Sequence, residues 1–243
     1  VTVAAILTAA GSGTRLGRDE PKAFVQVEGA PLLVHAARAL VEAATDAGER
    51  VVQLVVTVPE GLVQRAGSLL AGLGGPDVDL WVVEGGSTRQ ASVAAGLAAV
   101  GPEVDVVLVH DAARAFAPAS LVARVVTAVR DGRPAVVPGL PVVDTVKRVA
   151  EPTSDGARQV VGTVPRAELV SVQTPQGFER ALLDRAHAAG DARAGDEGAA
   201  ASDDAGLVEE LGVEVWVVPG DRRAAKITTA EDLVLAQLLA GAS

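Results

Sequence analysis

The strongest constraint on this chain is a rhythm. Short Val-rich runs alternate with Ala- and Leu-rich stretches of helical length, the pattern of successive βα units in an open parallel sheet. The runs Val3 to Thr8, Val51 to Val58, Val78 to Val83, Val104 to Val109, Ala135 to Val137 and Val213 to Val218 read as strands. Between them, Pro31 to Ala47, Gly61 to Leu73, Thr88 to Val100 and Pro118 to Asp131 read as helices, two of them opening near a proline, which an early helical position tolerates. Apolar residues make up 49% of the chain but aromatics only 2%, so the expected core is one of thin helices on a Val-rich sheet buried on both faces. The length of 243 residues fits one α/β domain spanning 1–243.

The rhythm breaks between residues 141 and 165. There VVDTVKRV and RQVVGTV flank the polar turn EPTSDGA, which predicts a projecting β-hairpin arm. A lone two-stranded arm is marginal in water, so the same arm of a second subunit is its simplest partner and a homodimer is expected. The Ala-, Gly- and charge-rich stretch from Gly190 to Ala201 reads as a flexible loop.

Charge and composition remove several classes of function. A formal net charge of −10 argues against a general nucleic-acid binder, which needs many Lys and Arg on one face. Any phosphate ligand must therefore meet a local basic cluster. Cysteine is absent, which excludes thiolate metal sites and cysteine nucleophiles and is compatible with the cytoplasm. No apolar run is long enough to span a membrane. The N-terminal VTVAAILTAAGSG lacks a basic leader and runs straight into a glycine turn, so it reads as a buried strand rather than a signal peptide.

Three constellations could carry chemistry. The first is Ala9-Ala10-Gly11-Ser12-Gly13-Thr14-Arg15-Leu16-Gly17 with Pro21-Lys22, directly after the first strand. Glycines there let backbone N–H groups face an anion, while Arg15 and Lys22 add two cations. Three residues separate Gly13 from Gly17 and no Gly-Lys-Ser/Thr follows, so neither the dinucleotide fingerprint nor the P-loop is matched. The second is His110-Asp111-Ala112-Ala113-Arg114, ending a very apolar strand. Asp111 could hold magnesium against phosphate oxygens there, or could pair with an arginine or cap the next helix. His110 reads as a hydrogen-bonded structural residue. In the third, Glu84 to Ser92, backbone donors and Ser92 could meet a base or ribose, or Ser87 or Thr88 could simply cap a helix.

The motifs AAGSGTRLG…PK, GGSTRQAS, HDAAR, DTVKR, TPQGF and KITTAEDL occur in this order. Together they resemble the 2-C-methyl-D-erythritol 4-phosphate cytidylyltransferase family of the non-mevalonate isoprenoid pathway. The resemblance implies a single Rossmann-like, mostly parallel sheet with helices on both faces, acting as a homodimer through the 141–165 arm. It also implies transfer of CMP from CTP to methylerythritol phosphate, with magnesium as cofactor. Because the sequence ends soon after KITTAEDL, a monofunctional chain without the cyclodiphosphate synthase fused in some relatives is expected. Arg15, Lys22 and Lys226 match its phosphate-facing cations, and Ala9, Ala10, Gly11, Gly13, Gly86 and Ser92 its nucleotide-contacting positions. Asp111 matches the carboxylate adjacent to metal and substrate. Arg114, Thr145, Arg166, Thr174 and Ser202 match positions that handle the acceptor, Thr145 and Arg166 reaching across from the partner's arm. Four positions depart from the usual pattern: Ala115 stands where proline is usual, Ser87 where an acidic residue is common, Ser202 where threonine is frequent, and Arg223 where some members are acidic.

A phosphate monoester, with a second pKa near ~6, is largely dianionic at neutral pH and needs no general base to attack. The expected reaction is therefore direct displacement without a covalent enzyme intermediate. A related cytidylyltransferase acting on another polyol phosphate, such as ribitol 5-phosphate, and a nucleotide-binding protein without turnover are the alternatives.

Overall fold

The computed structural model describes residues 1–11 and 20–240, with the side chains of 239 and 240 left aside. Its centre is an eight-stranded sheet. Six of the strands run in one direction: β1 (Val3–Thr8), β4 (Val51–Val58), β5 (Asp79–Glu84), β6 (Val106–Asp111), β7 (Ala135–Pro141) and β12 (Trp216–Pro219). Two short strands, β10 (Val170–Val172) and β11 (Gln176–Glu179), run against them. The sheet is mostly parallel, as expected, and is made mixed by β10 and by β11, which wedges antiparallel between β6 and β7.

Apolar side chains alternate between the faces of β1, which explains why its sequence is continuously hydrophobic. Val3, Ala5 and Leu7 join a core with α1 (Leu32–Glu42), α2 (Val63–Leu70) and α4 (Ala119–Arg130). Ala4 and Ile6 join a second core with α3 (Arg89–Ala98), α5 (Arg180–Gly190) and α6 (Asp204–Glu210). The sheet is thus covered on both sides. The last helix, α7 (Ala230–Ala240), lies against the small hairpin of β2 (Gln26–Val27) and β3 (Ala30–Pro31). Among the described residues no helix is long and apolar enough to cross a membrane.

The arm forms as expected. Strands β8 (Val146–Pro152) and β9 (Arg158–Val164) make a separate antiparallel sheet, and Val160 and Val161 on it are exposed. The strand expected at 104–109 instead runs from Val106 to Asp111, and this displacement makes Asp111 the last residue of the strand. The 190–201 stretch, read as a flexible loop, is tied to α3. Gln90 Nε2 donates to Gly190 O at 2.9 Å, Ala201 N donates to Gln90 Oε1 at 2.8 Å, and Thr88 Oγ1 donates to Ala194 O.

Candidate active site

A cleft of about 770 Å³ opens at the carboxyl ends of β1 and β6, where open α/β sheets bind ligands. The chain leaving β1 contributes Ala9, Ala10 and Gly11, and the one-turn helix Lys22–Phe24 contributes Lys22. Gly86 and Ser92 line it from the start of α3, Asp111 from the end of β6, Ser202 from the loop before α6, and Lys226 from the segment before α7. Residues from both ends of the chain therefore meet at one sheet edge. Gly13 and Arg15 lie outside the described residues.

The turn into α3 has to be made of glycine. A Cβ on Gly86 would come within 2.4 Å of the Ala91 Cβ, and one on Gly85 within 2.7 Å of the Ala10 Cβ. The GG pair thus lets the helix begin hard against the loop leaving β1. Thr88 caps this helix by accepting from Ala91 N at 3.0 Å, and Ser92 Oγ donates to Thr88 O at 2.7 Å. Capping and cleft lining are performed by the same short segment.

Asp111 is the electrostatic hub. Its Oδ2 accepts from Lys226 Nζ at 2.8 Å and its Oδ1 from Arg89 Nε at 3.1 Å. Burial alone would raise its pKa, but the charges of Arg89 and Lys226 outweigh burial and hold the carboxyl well below the usual range. Asp111 is 7% exposed and anionic. Its backbone N donates to Thr174 Oγ1 at 3.1 Å, and the same hydroxyl lies 2.9 Å from His110 Nδ1. His110 is fully buried, and burial, helped by the nearby charge of Arg114, lowers its pKa to about 4. It is neutral at physiological pH and serves as a structural group.

The residues expected on the acceptor side are placed differently. Thr174 is buried behind Asp111. Arg114 ties the one-turn helix Arg222–Ala224 to the end of β10, donating to Ala224 O at 2.8 Å and to Val172 O at 3.2 Å. Thr145 and Arg166 are exposed beside the arm, Arg166 donating to Val143 O. None of these four lines the cleft of a single chain.

The sequence model described as 2-C-methyl-D-erythritol 4-phosphate cytidylyltransferase matches residues 3–241. The chain belongs to this cytidylyltransferase family. It is 49% identical over 237 residues to the 2-C-methyl-D-erythritol 4-phosphate cytidylyltransferase of Rhodococcus opacus (strain B4), covering 98% of this chain and 94% of that one. It is 48% identical to the enzyme of the same description from Streptomyces avermitilis, covering 96% of this chain and 90% of the relative. The crystal structure of 2-C-methyl-D-erythritol 4-phosphate cytidylyltransferase from Thermus thermophilus superposes with a TM-score of 0.74 at 39% identity, covering 99% of this chain and all of that one.

As a cytidylyltransferase family member the chain accommodates its four departures without disturbing the hub. Ala115 is buried in a cluster with Val25, Leu32 and Ile227. Ser87 lines the cleft and donates to Gly195 O at 3.3 Å, while Ser202 stays at its rim. Arg223 pairs with Asp221 at 2.9 Å, away from the cleft lining. Three residues in and behind the cleft carry no role in the sequence reading: Arg89, which lines it, and Gln176 and Asp204, which do not. Arg89 stands in the GGSTRQAS motif and Gln176 in TPQGF, neither with a function attached. Gln176 holds the start of α6, accepting from Asp204 N and Ala205 N at 3.2 Å. Asp204 itself sits in a polar stretch with no pattern to mark it as buried.

Proposed function

We propose that this chain transfers CMP from CTP to 2-C-methyl-D-erythritol 4-phosphate, releasing pyrophosphate and giving 4-diphosphocytidyl-2-C-methyl-D-erythritol in non-mevalonate isoprenoid biosynthesis. The observation that carries the reading is the meeting of Lys22, Lys226 and an Asp111 held anionic by Arg89 and Lys226 in one cleft beyond β1 and β6. In this reading Ala9, Ala10, Gly11, Gly86 and Ser92 contact the cytidine. Lys22 and Lys226, together with Arg15 and Gly13, face the triphosphate.

The chemical problem is electrostatic, because two anions must approach while charge builds on the α-phosphate and on the departing pyrophosphate. Fixed cations meet that problem directly, and each preorganised contact of this kind contributes about 3 kcal/mol to transition-state stabilisation. The acceptor phosphate attacks as a dianion, so no proton has to be removed first. The buried, neutral His110 accords with this, since it does not line the cleft.

Asp111 also suits magnesium. Among the described residues no group of three or more His, Cys, Asp or Glu side chains could enclose a metal. Magnesium, however, commonly takes one or two carboxylates and completes its shell with phosphate oxygens and water. A carboxylate offers about four acceptor positions; Arg89 Nε and Thr8 Oγ1 donate to Oδ1 and Lys226 Nζ to Oδ2, which leaves a hard donor on Oδ2 for the ion. Bound there, magnesium would add positive charge against the phosphates.

For the acceptor, Ser202 and Arg114 lie on the chain's own side, and Thr174 acts by fixing the Asp111 loop. Thr145 and Arg166 are proposed to come from the arm of a second copy, a homodimer that would also cover the exposed Val143, Val160 and Val161. The compartment proposed is the cytoplasm, and no nucleic-acid or membrane partner is proposed. Offering CTP with methylerythritol phosphate, with ribitol 5-phosphate or alone tests the reading. Pyrophosphate should appear with the first acceptor. Release with ribitol 5-phosphate only, or with neither, would overturn it.

A further inference from the structure

From Asp111 a chain of charge runs inward through Arg89, which is half-buried and lines the cleft, to Asp204 and His187, which are buried and have no assigned step in the reaction. Arg89 divides its planar fork between two carboxylates: Nε faces Asp111 Oδ1 at 3.1 Å and Nη1 faces Asp204 Oδ2 at 2.7 Å. The other oxygen of Asp204 meets His187 Nε2, on α5, at 2.9 Å. Asp204 is 1% exposed and does not line the cleft. A carboxylate so deeply buried costs several kcal/mol unless it is paired and hydrogen-bonded. Here both oxygens are committed, and Gln176 secures the backbone beneath them.

We propose that Asp204 is a positioning residue for the transferase reaction, locking the Arg89 guanidinium so that it presents Nε to Asp111 and holds that carboxylate in its working orientation. The inference rests on the reading of Asp111 as the site's hub. A guanidinium held by one carboxylate can swing about that contact, whereas two carboxylates on different edges of its plane fix both direction and tilt. Without Asp204, the guanidinium would be free to turn toward Asp111 alone or further into the cleft that it lines, where phosphate oxygens would compete for it. Asp204 thus links α5 and α6 to the end of β6.

Two readouts test this, one of them independent of activity. In a crystal structure of the Asp204→Asn variant, the contact between Arg89 Nε and Asp111 Oδ1 should be lost or replaced. An unchanged contact would overturn the proposal, whatever the protein's activity. In a double-mutant cycle on kcat for pyrophosphate release, Asp204→Asn alone should lower the rate about 10- to 100-fold, the scale seen when a residue orienting a ligating group is removed. In an Arg89→Ala background it should add less than about twofold, because its route of action is gone. The same factor in both backgrounds would mark Asp204 as merely structural and overturn the proposal. Should Asp204→Asn fail to fold, Asp204→Glu keeps the charge but displaces the carboxylate, with the same two outcomes expected. A wild-type chain that releases no pyrophosphate would defeat the functional reading, while the crystal comparison would still decide the role of Asp204.

Discussion

At the scale of single residues, the site is a problem of placing charge. Asp111 could be recognised in the sequence because it terminates an apolar strand and has small neighbours, Ala112 and Ala113, that leave room beside it. Lys226 was recognised through the resemblance as a phosphate-facing cation, but its pairing with Asp111, and that of Arg89, was not. Lys226 lies 115 residues away and Arg89 lies 22, and only the closing of the sheet brings them together. Asp204 was still less legible, since Asp203 beside it looks identical and is instead the residue that caps α6, accepting from Gly206 N at 3.1 Å. The Asp204 carboxyl sits below its usual pKa; burial pushes it upward, but Arg89 and then His187 more than offset this. A group depressed in this way contributes stability that is complete above its unfolded pKa near ~3.9 and is lost as pH falls through the lower folded value. Thermal unfolding between pH 7 and pH 3 should therefore show Asp204→Asn less stable than wild type by about 3 kcal/mol at neutral pH, with the gap closing in acid. A gap that stays constant across that range would contradict the assignment.

At the scale of elements, the strands with the longest Val-rich runs were readable because both of their faces are buried. β4 and β1 match the sequence reading residue for residue. The antiparallel β10 and β11 were missed, being three and four residues long, too short for any alternation to stand out. Their placement is decided by partners on β6 and β7 rather than by their own composition. The helix expected at 31–47 ends instead at Glu42, and the following residues form a turn in which Glu49 N bonds to Thr45 Oγ1 at 3.0 Å. At the other end of the chain, Thr229 Oγ1 accepts from Asp232 N at 3.2 Å and Asp232 Oδ2 accepts from Thr229 N at 2.9 Å. This reciprocal box starts α7 shortly after Lys226. Thr229→Ala should lower stability by about 1 kcal/mol and raise the KM for CTP by loosening Lys226. A denaturant melt with paired steady-state kinetics checks both, and a change in stability without any change in KM would separate α7 from the site.

At the scale of the whole molecule, the described chain brings the residues proposed to meet the nucleotide into one cleft, while Thr145 and Arg166, proposed to meet the acceptor, lie beside the arm and outside that cleft. The arm was legible as a hairpin because two alternating runs flank a Pro- and Gly-containing turn, while its partner is a matter of assembly that one sequence does not display. If a second copy covers the arm, Val160→Asp together with Val161→Asp should shift the protein toward monomer in analytical ultracentrifugation. The same variant should raise the KM for methylerythritol phosphate while leaving CTP binding intact. A variant that stays dimeric with an unchanged acceptor KM would detach the arm from both roles. The central claim, that this cleft joins a cytidylyl group to an acceptor phosphate by fixed positive charge, is tested most directly by phosphorus NMR of CTP and methylerythritol phosphate turned over by wild type and by Lys22→Ala. Wild type should give the paired resonances of a new diphosphate together with equimolar pyrophosphate, and Lys22→Ala should give them at least about 100-fold more slowly. Hydrolysis of CTP to CMP without diphosphate formation, or a Lys22→Ala rate equal to that of wild type, would contradict the account.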